Sequence, residues 1–419
     1  MSNDSKGLDD AINSCLILEK KCRTNNDFTT LKALCLHMVR LCKDKGNWSK
    51  LNSVLAVLHK RRAQSKIAIG AIVDEAYSYL NSVNWPTLET KIDLIKTLKD
   101  ICEGKIYVEA ESARLHLMLA MILEKEKGDI AAACDMIQDV HVETYGSLTK
   151  KEKAEYILEQ IRLNLARKDF IRALIQSRKM NRKVIEEPGF EEIKVNFYTM
   201  MVEYHSQNKE IWDICQSYYK IYDTMTTKQD PLLLAAALQA CVIFLILSKY
   251  DNHQSDMMHR IKALKDIEQM PEFLYALALF TTKEIISYPF LGINKLESHH
   301  ALKAHGGPDM MTYLIKLIHT RVIEHNLRVV SGYYRRITAV RLGEMLGLDQ
   351  VALEQHLSEL VASGDFYCKI DRPAGIITFH KARAAEAVLT DWSADINKML
   401  SLMESTCHLI NRENMVNGL

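Results

Sequence analysis

Apolar residues recur at the spacing of an α-helix from the N-terminus to about residue 330, and this periodicity limits the fold more than any other feature of the chain. Two stripes make the pattern clear: one comprises Phe28, Leu31, Leu34, Cys35, Met38 and Leu41, and the other comprises Ile92, Ile95, Leu98 and Ile101. Strand-like alternation is rare here, and 16 glycines and 7 prolines among 419 residues are few for a sheet-rich protein. The sequence therefore predicts a mostly α-helical protein.

A short turn of similar composition recurs between the predicted helices. The turn begins with Gly, Lys or Asn, continues with a polar residue and ends in an apolar residue. The apolar residues are Trp48, Ile130, Phe170 and Ile211. The intervals between these residues are 82, 40 and 41. The longest is about two units of 41, and Trp85 lies near the position where a turn between the two units would fall. A helix pair of this size cannot form a core alone and buries its apolar face on the next pair. The pattern predicts an α-solenoid of paired helices with degenerate repeats of about 40 residues.

The strongest membrane candidate is the apolar run from Pro231 to Ser248. Its unbroken part has about 16 residues, whereas a spanning helix needs about 20, so we interpret the run as a wholly buried helix. Lys and Arg (54) balance Asp and Glu (53), and a net charge of +1 gives no general attraction to polyanions or anionic membranes. The polar N-terminus lacks the pattern of a secretory signal, and ten cysteines without framework spacing indicate a reducing compartment.

The region after the helical repeats predicts a different kind of unit. Its elements, in order, are a short strand (Tyr333–Thr338), a helix (Ala339–Gly347), a second helix (Asp349–Gly364) and a hairpin (Phe366–Asp371 and Ile376–Phe379). The inward stripe of the second helix comprises Leu353, Leu357, Leu360 and Val361. The hairpin link has Pro373 where a type I turn favours it and Gly375 two places later. Two helices joined by a sharp turn and followed by a hairpin make a winged helix.

The charge of the second helix bears on whether this winged helix binds DNA. A recognition helix approaches phosphates and base edges, and it usually presents Arg, Lys, Asn or Gln. This helix carries Asp349, Glu354 and Glu359 and neither Lys nor Arg, which gives a formal charge of −3. The basic Arg335 and Arg336 lie on the strand instead. The sequence therefore argues against DNA binding, whereas the hairpin offers a strand edge that can pair with the edge of a neighbouring protein.

The last 35 or so residues predict one long helix with a narrow apolar seam. The seam comprises Leu389, Trp392, Ile396, Met399, Met403 and Ile410, with Thr406 in one slot. Its spacing alternates between three and four residues, which is the repeat by which helices pack into bundles. The seam predicts bundling with helices of partner proteins, and packing on its own chain is the alternative.

Sequence motifs of enzymes are missing. The chain has no GxxxxGK[ST] or GxGxxG phosphate-binding loop, no GxSxG nucleophile elbow and no HExxH zinc motif. His299, His300 and His305 lie close together, but without the spacing of a zinc site. We therefore expect no catalytic residue, no metal and no cofactor.

Motifs in both halves of the chain resemble one protein family. A helical-repeat array that ends in a winged helix resembles the PCI domain, which is shared by subunits of the proteasome lid, the cullin-deneddylating signalosome and translation initiation factor three. The stretches "VETYGS" (142–147), "EKAEYILEQIRL" (152–163) and "KIDRPAGIITF" (369–379) resemble the proteasome-lid branch of this family. The resemblance covers the chain from about residue 10 onwards.

The resemblance implies a scaffold within a hetero-oligomer that binds neither nucleic acid nor membrane. In this family the winged helices stack through their sheet edges, the C-terminal helices gather into one bundle, and the solenoid arms contact the ATPase ring, the core particle and the deubiquitinase subunit. The implied stacking residues are Phe366, Tyr367, Cys368, Lys369, Ile370, Asp371, Ile376, Ile377, Thr378 and Phe379. The implied bundle residues are those of the C-terminal seam. Metalloprotease chemistry belongs to another lid subunit, and the implied locations are the cytoplasm and the nucleus.

The predicted segments are a solenoid (1–225), the helical part of a PCI domain (226–315), its winged helix (316–383) and a C-terminal bundle helix (384–419). Two alternatives to a lid scaffold stay open. One is the paralogous signalosome subunit, which has the same architecture but which the first two quoted stretches disfavour. The other, from a different class, is a winged-helix nucleic-acid-binding protein, which the acidic second helix disfavours.

Overall fold

The computed structural model describes all residues except 1, 26, 63, 83, 84, 86, 225–229, 291, 292, 294, 295, 297, 298, 305, 306, 365, 366, 381–383 and 419. The chain divides into two compact units, Met1–Phe244 and Leu245–Leu419. Of the predicted segment boundaries, the first falls on residues outside the described set, and the second falls inside a continuous helix, Gly307–Tyr333. The division into four segments therefore stays a prediction.

Helices make up nearly all of the described chain up to residue 247, as the periodicity predicts. They are α1 (Ser2–Thr24), α2 (Phe28–Asp44), α3 (Trp48–Lys60), α4 (Lys66–Ser82), α5 (Leu88–Cys102), α6 (Glu109–Ile122), α7 (Ile130–Gln138), α8 (Lys150–Ala166), α9 (Phe170–Lys179), α10 (Arg182–Ile185), α11 (Glu191–Asn208), α12 (Ile211–Tyr222) and α13 (Pro231–Leu247). Within the first unit α8 packs against α9, α11 packs against α12, and α8 also packs against α11. Each pair thus contacts the next pair, which is the arrangement of a solenoid.

The recurrent turn of the sequence marks the start of the second helix in a pair. Four helices begin at its apolar residue: Trp48, Ile130, Phe170 and Ile211. The residue two positions earlier has a left-handed backbone, with φ of 65° at Gly46, 68° at Gly128, 65° at Lys168 and 60° at Lys209. In the first three turns the polar residue between them caps the new helix, accepting a backbone N–H three residues on at 3.0–3.2 Å. A left-handed residue that ends one helix and a cap that starts the next therefore account for the repeat.

Polar contacts join elements about one repeat apart in the first unit. Arg114 donates to Glu152 at 2.6 Å and Arg162 donates to Glu124 at 2.7 Å, with 38 residues between the partners in both pairs. These guanidinium hydrogen bonds hold the pKa of each glutamate below its usual value. The buried Gln160 side chain donates to the carbonyl oxygens of Ile137 at 2.9 Å and Val140 at 3.1 Å. The register between neighbouring pairs is thus fixed by hydrogen bonds as well as by apolar packing.

Burial confirms most of the predicted apolar stripes and corrects two points. Leu31, Cys35 and Met38 are fully buried, but Phe28 is 47% exposed. Phe28 is the first residue of α2, and helical side chains tilt towards the N-terminus, so its ring extends beyond the helix end. Helix α13 is buried in its second half, whereas Leu232 in its first turn is 85% exposed, so the prediction of a wholly buried helix is wrong there. Among the described residues, no helix combines the length and the apolar character needed to cross a bilayer.

The second unit combines further helices with a small sheet. Its elements after α13 are α14 (Asn252–Lys262), α15 (Pro271–Thr281), α16 (His300–Ala304), α17 (Gly307–Tyr333), β1 (Arg336–Thr338), α18 (Ala339–Leu346), α19 (Gln350–Ala362), β2 (Lys369–Asp371), β3 (Ile376–Thr378) and α20 (Ala385–Asn417). The strands form an antiparallel sheet in the order β1-β3-β2. Its core includes Leu342, Leu353, Leu357 and Ile377, all at most 1% exposed. The winged helix predicted from the sequence is therefore present.

The observed strands are shorter than the predicted ones. Strand β1 begins at Arg336 rather than at Tyr333, because α17 continues to Tyr333 and the next two residues connect the helix to the strand. Strand β2 begins at Lys369 rather than at residue 366. On α19, Val361 is 39% exposed and does not belong to the buried stripe that includes Leu353.

Candidate protein-interaction surfaces

The sheet of the winged helix has two outer edges, formed by β1 and β2. Strand β3 lies between them, with Ile377 opposite Ile337 on one side and opposite Ile370 on the other. Within the described part of the chain, the outer edges of β1 and β2 pair with no further strand. Backbone groups along such an edge can extend the sheet by pairing with a strand of another protein.

Strand β2 and the residues before it keep most of the predicted edge residues together. Phe366 lies outside the described residues. Tyr367 is 44% exposed, and Lys369 and Asp371 on β2 are also exposed. Cys368 and Ile370 are half-buried against the winged-helix core, and burial raises the pKa of the Cys368 thiol. The edge therefore presents polar side chains outwards and is held to the domain by the two half-buried ones.

Strand β3 requires a correction, because the sequence analysis grouped its residues with the sheet edge. Ile377 is 1% exposed and Phe379 is 8% exposed, while Ile376 and Thr378 are half-buried. Both sides of β3 already pair within the sheet, so this strand has no free edge. The second edge of the sheet is formed by β1. The sequence predicts β1 as a strand but not its position in the sheet, because strand order depends on contacts between distant segments.

The outward face of α19 is acidic and partly neutralised. Asp349 accepts the backbone N–H of Gln350 at 2.8 Å as the helix cap. Glu354 accepts a hydrogen bond from Arg372 of the hairpin turn at 3.1 Å, a contact that the sequence did not reveal. Arg372 offsets one of three carboxylates, and the face stays negative. Such a face repels the phosphates that a recognition helix must approach.

Helix α20 has no buried residue. It contains 33 residues, which at 1.5 Å per residue makes it about 50 Å long. Each described residue from 384 to 418 is exposed. The predicted seam is 43–64% exposed along its length, at Leu389, Trp392, Ile396, Met399, Met403 and Ile410. The seam is widened by further exposed apolar side chains, namely Val388, Leu400, Leu402 and Leu409.

The exposure of the seam favours one of the two alternatives that the sequence left open, and bundling with partner helices stays a prediction. Packing on its own chain would bury the seam, and the described residues show no such burial. A long amphipathic helix whose apolar side stays exposed is typical of a surface that binds another protein.

One group of possible metal ligands occurs among the described residues. His205, Glu210 and Asp213 lie at the turn between α11 and α12, with ligand atoms within 4.8 Å of one another. His205 Nδ1 is 2.6 Å from Glu210 Oε2, so a hydrogen bond at the end of α11 already accounts for the contact. Of the histidines considered from the sequence, His299 accepts the backbone N–H of Ala301 at 3.1 Å and His305 lies outside the described residues. None of these groups indicates a catalytic centre.

A helical-repeat array, a winged helix with open sheet edges and a long exposed helix together define a PCI-type assembly subunit. Three family models match successive parts of the chain: "PSMD12/CSN4, N-terminal" at residues 10–230, "PCI domain" at 294–381 and "26S proteasome regulatory subunit RPN5 C-terminal domain" at 386–418. The chain belongs to the family of 26S proteasome non-ATPase regulatory subunit 12, also named regulatory subunit RPN5. The resemblance to the proteasome-lid branch is thereby confirmed.

Proteasome subunits from two of the organisms compared match over nine-tenths or more of their own length. The 26S proteasome non-ATPase regulatory subunit 12 of Dictyostelium discoideum is 38% identical over 97% of this chain and 90% of its own. Homolog A of the same subunit in Arabidopsis thaliana is 37% identical over 99% of this chain and 98% of its own. A more distant relative, COP9 signalosome complex subunit 4 of Caenorhabditis elegans, is 21% identical over 73% of this chain and 72% of its own. The chain is therefore much more similar to these proteasome subunits than to this signalosome subunit.

Proposed function

We propose that this chain is a non-catalytic structural subunit of the lid of the 26S proteasome regulatory particle. In that role it supports ubiquitin-dependent protein degradation by holding other subunits in place. The observation that carries the proposal is helix α20, whose seam from Leu389 to Ile410 is exposed along about 32 Å and whose described residues are all exposed. A surface of that kind requires partner helices to cover it.

In this proposal, two surfaces of the chain mediate assembly. The edges of β1 and β2 pair with winged helices of neighbouring PCI subunits, and α20 enters a bundle with their C-terminal helices. Backbone hydrogen bonds at a sheet edge fix orientation, whereas apolar helix packing supplies most of the free energy of association. The sheet-edge contact therefore selects neighbours by their geometry, and the helix contact binds them through burial of apolar surface.

The solenoid supplies the remaining contacts in this proposal. Its partners are the lid deubiquitinase subunit, the ATPase ring and the core particle, and the complex works in the cytoplasm and the nucleus. The chain itself supplies no reactive group. The matching family models support this point, because their descriptions name regulatory-subunit and PCI regions rather than a catalytic family.

Affinity purification of the tagged full-length chain from cell extract, followed by mass spectrometry, tests the proposal. We expect the other lid subunits to be recovered at near-equal amounts, together with base and core-particle subunits. A seam variant described in the Discussion serves as the negative control, since it should lose these partners while remaining folded. Recovery of unrelated complexes by the wild-type chain would contradict the assignment.

The paralogous signalosome role is the second candidate, because one matching family model covers both subunits and the distant relative named above belongs to that complex. The same purification separates the two. Recovery of signalosome subunits without proteasome subunits would favour this candidate.

Nucleic-acid binding, the candidate from another class, is tested with random duplex DNA at low salt. We expect no strong affinity, because α19 is acidic and Arg372 is paired with Glu354. A strong affinity that falls steeply with salt would refute the charge argument.

A further inference from the structure

The second unit contains a cavity that none of the assembly surfaces uses. It measures about 500 Å³ and lies between α14, the C-terminal end of α15 and the last turns of α17. That volume is within the range of cavities that bind ligands in proteins. Its aromatic lining comprises Tyr250, Phe280 and Tyr333.

The charged side chains that line this cavity are all cationic. Lys283 and Arg328 line it, and none of the described residues that line it carries a carboxylate. The guanidinium of Arg328 lies 3.7 Å from the centre of the Tyr250 ring, so its position is fixed by stacking. Two histidines also line the cavity, and burial lowers the pKa of His325, which keeps that ring neutral near pH 7. The cations that line the cavity, Lys283 and Arg328, therefore give it a formal charge of +2.

Carboxylates on the surrounding elements lie outside the lining of the cavity. Glu324 of α17 is 2.6 Å from Arg321, and Asp256 of α14 is 3.8 Å from Arg260. Glu284 follows Lys283 in the chain but does not line the cavity. An acidic ligand would thus meet cations without a competing acidic side chain in the lining.

The rim indicates what kind of ligand fits. Tyr333 is 71% exposed and Tyr250 is 45% exposed, and Lys283 is exposed beside them. A small metabolite is usually enclosed almost completely, whereas a peptide enters and leaves through an open rim. Exposed Tyr with Arg is also the composition typical of the energetic centre of a protein interface.

We propose that this cavity binds a short segment of a partner protein in which an acidic residue lies next to an aromatic or large aliphatic one. The carboxylate pairs with Lys283 and Arg328, and the apolar side chain packs against Phe280 and Tyr333. The site depends on neither the sheet edge nor α20, and it goes beyond the scaffold role. Its failure would leave the assembly proposal intact.

Gly332 allows the cavity to be blocked without strain. It lies on α17 at the cavity wall, and a Cβ added there meets no heavy atom within 4 Å. Replacing a helical glycine also raises helix propensity, so Gly332→Leu should fold at least as well as the wild type. Gly70→Leu is the matched control, since Gly70 is likewise on a helix with open space and lies in the other unit. Lys283→Glu reverses one charge, and Lys265→Glu makes the same change at an exposed position outside the cavity.

The experiment uses the full-length chain and a library of short peptides that pair Asp or Glu with Phe, Tyr or Leu. A matched library has Asn or Gln in place of the acid. We expect acidic peptides to bind the wild type, with affinity about tenfold weaker for Lys283→Glu and lost for Gly332→Leu. Gly70→Leu and Lys265→Glu should bind like the wild type.

Three results would overturn the proposal. The first is that no acidic peptide binds, and the second is that binding survives Gly332→Leu. The third is equal binding of the acidic and amide libraries, which would remove the role of charge. An oligouridine probe is included, and its binding in place of peptides, with sensitivity to both cavity variants, would also contradict the proposal by assigning the site to nucleic acid. Thermal melts of all variants separate lost binding from lost folding.

Discussion

The seam of α20 gives the sharpest test of how this chain assembles. The change is the double substitution Trp392→Asp and Met399→Asp, two turns apart on the same face. Both side chains are 64% exposed in the free chain, so neither supports its own fold. We expect the solenoid and winged helix to remain folded while incorporation into the lid is lost.

The magnitude follows from the area that partners would cover. A tryptophan side chain buries up to about 250 Å², so about 160 Å² of Trp392 remains to be covered, which corresponds to about 4 kcal/mol at 25 cal/mol per Å². Met399 adds about 1–2 kcal/mol on the same basis. Ordering costs reduce the sum, and the two new carboxylates would be buried without partners, which adds to the loss. We therefore expect association to weaken at least about a hundredfold.

The assay is co-expression of the variant with the other lid subunits, followed by native gel electrophoresis and quantification of the assembled complex. The matched control is Thr390→Asp with Asn397→Asp, which places two carboxylates the same seven residues apart on the polar side of α20. This control should assemble normally. Normal assembly of the seam variant, or equal failure of both variants, would refute the assignment of the seam as the bundling face.

Three further predictions concern the fold and its chemistry. Ile377→Ala should destabilise the winged helix by about 2–4 kcal/mol in urea unfolding, because Ile377 is 1% exposed on the central strand; a negligible effect would contradict its place in the core. Arg114 lowers the pKa of Glu152 in the folded state, so the pair stabilises the fold at pH values above the unfolded-state pKa of Glu152, and this stabilisation is lost as the pH falls through the folded-state pKa. Glu152→Gln should therefore reduce the loss of stability between neutral and acid pH. An unchanged dependence of stability on pH would contradict this role of the pair. Burial raises the pKa of Cys35 to about 12, whereas Cys407 is exposed. Iodoacetamide should therefore label Cys407 first, and peptide mass spectrometry measures the order of labelling. Early labelling of Cys35 would contradict this expectation and show that α2 opens readily.

Local rules account for what the sequence predicted well. The turn before Phe170 needs only a left-handed residue, Lys168, and a cap, Asp169, whose side chain bonds three residues ahead. Everything in that contact lies within a few positions of the chain, so composition and spacing are sufficient to reveal it. The long helix α20 could be predicted for the same reason, because the apolar repeat in its sequence reflects the geometry of a single helix.

Contacts between distant segments account for what the sequence did not reveal. The central place of β3 depends on pairing with β1, about 40 residues earlier, which no local pattern encodes. The pair formed by Arg372 and Glu354 joins the hairpin turn to α19 and also escaped prediction. The exposed first turn of α13 was hidden because the helix is apolar on all sides, so periodicity could not mark which part lies against a neighbour.

The exposed seam of α20 also has a consequence for the abundance of the chain in a cell. An unassembled copy exposes the apolar seam of α20, which partner helices would cover in an assembled copy. The exposed apolar surface therefore distinguishes the two forms. Chaperones and degradation factors that recognise exposed apolar segments would therefore remove surplus copies first. A feature that serves assembly would in this way keep the amount of the subunit matched to the amount of its partners.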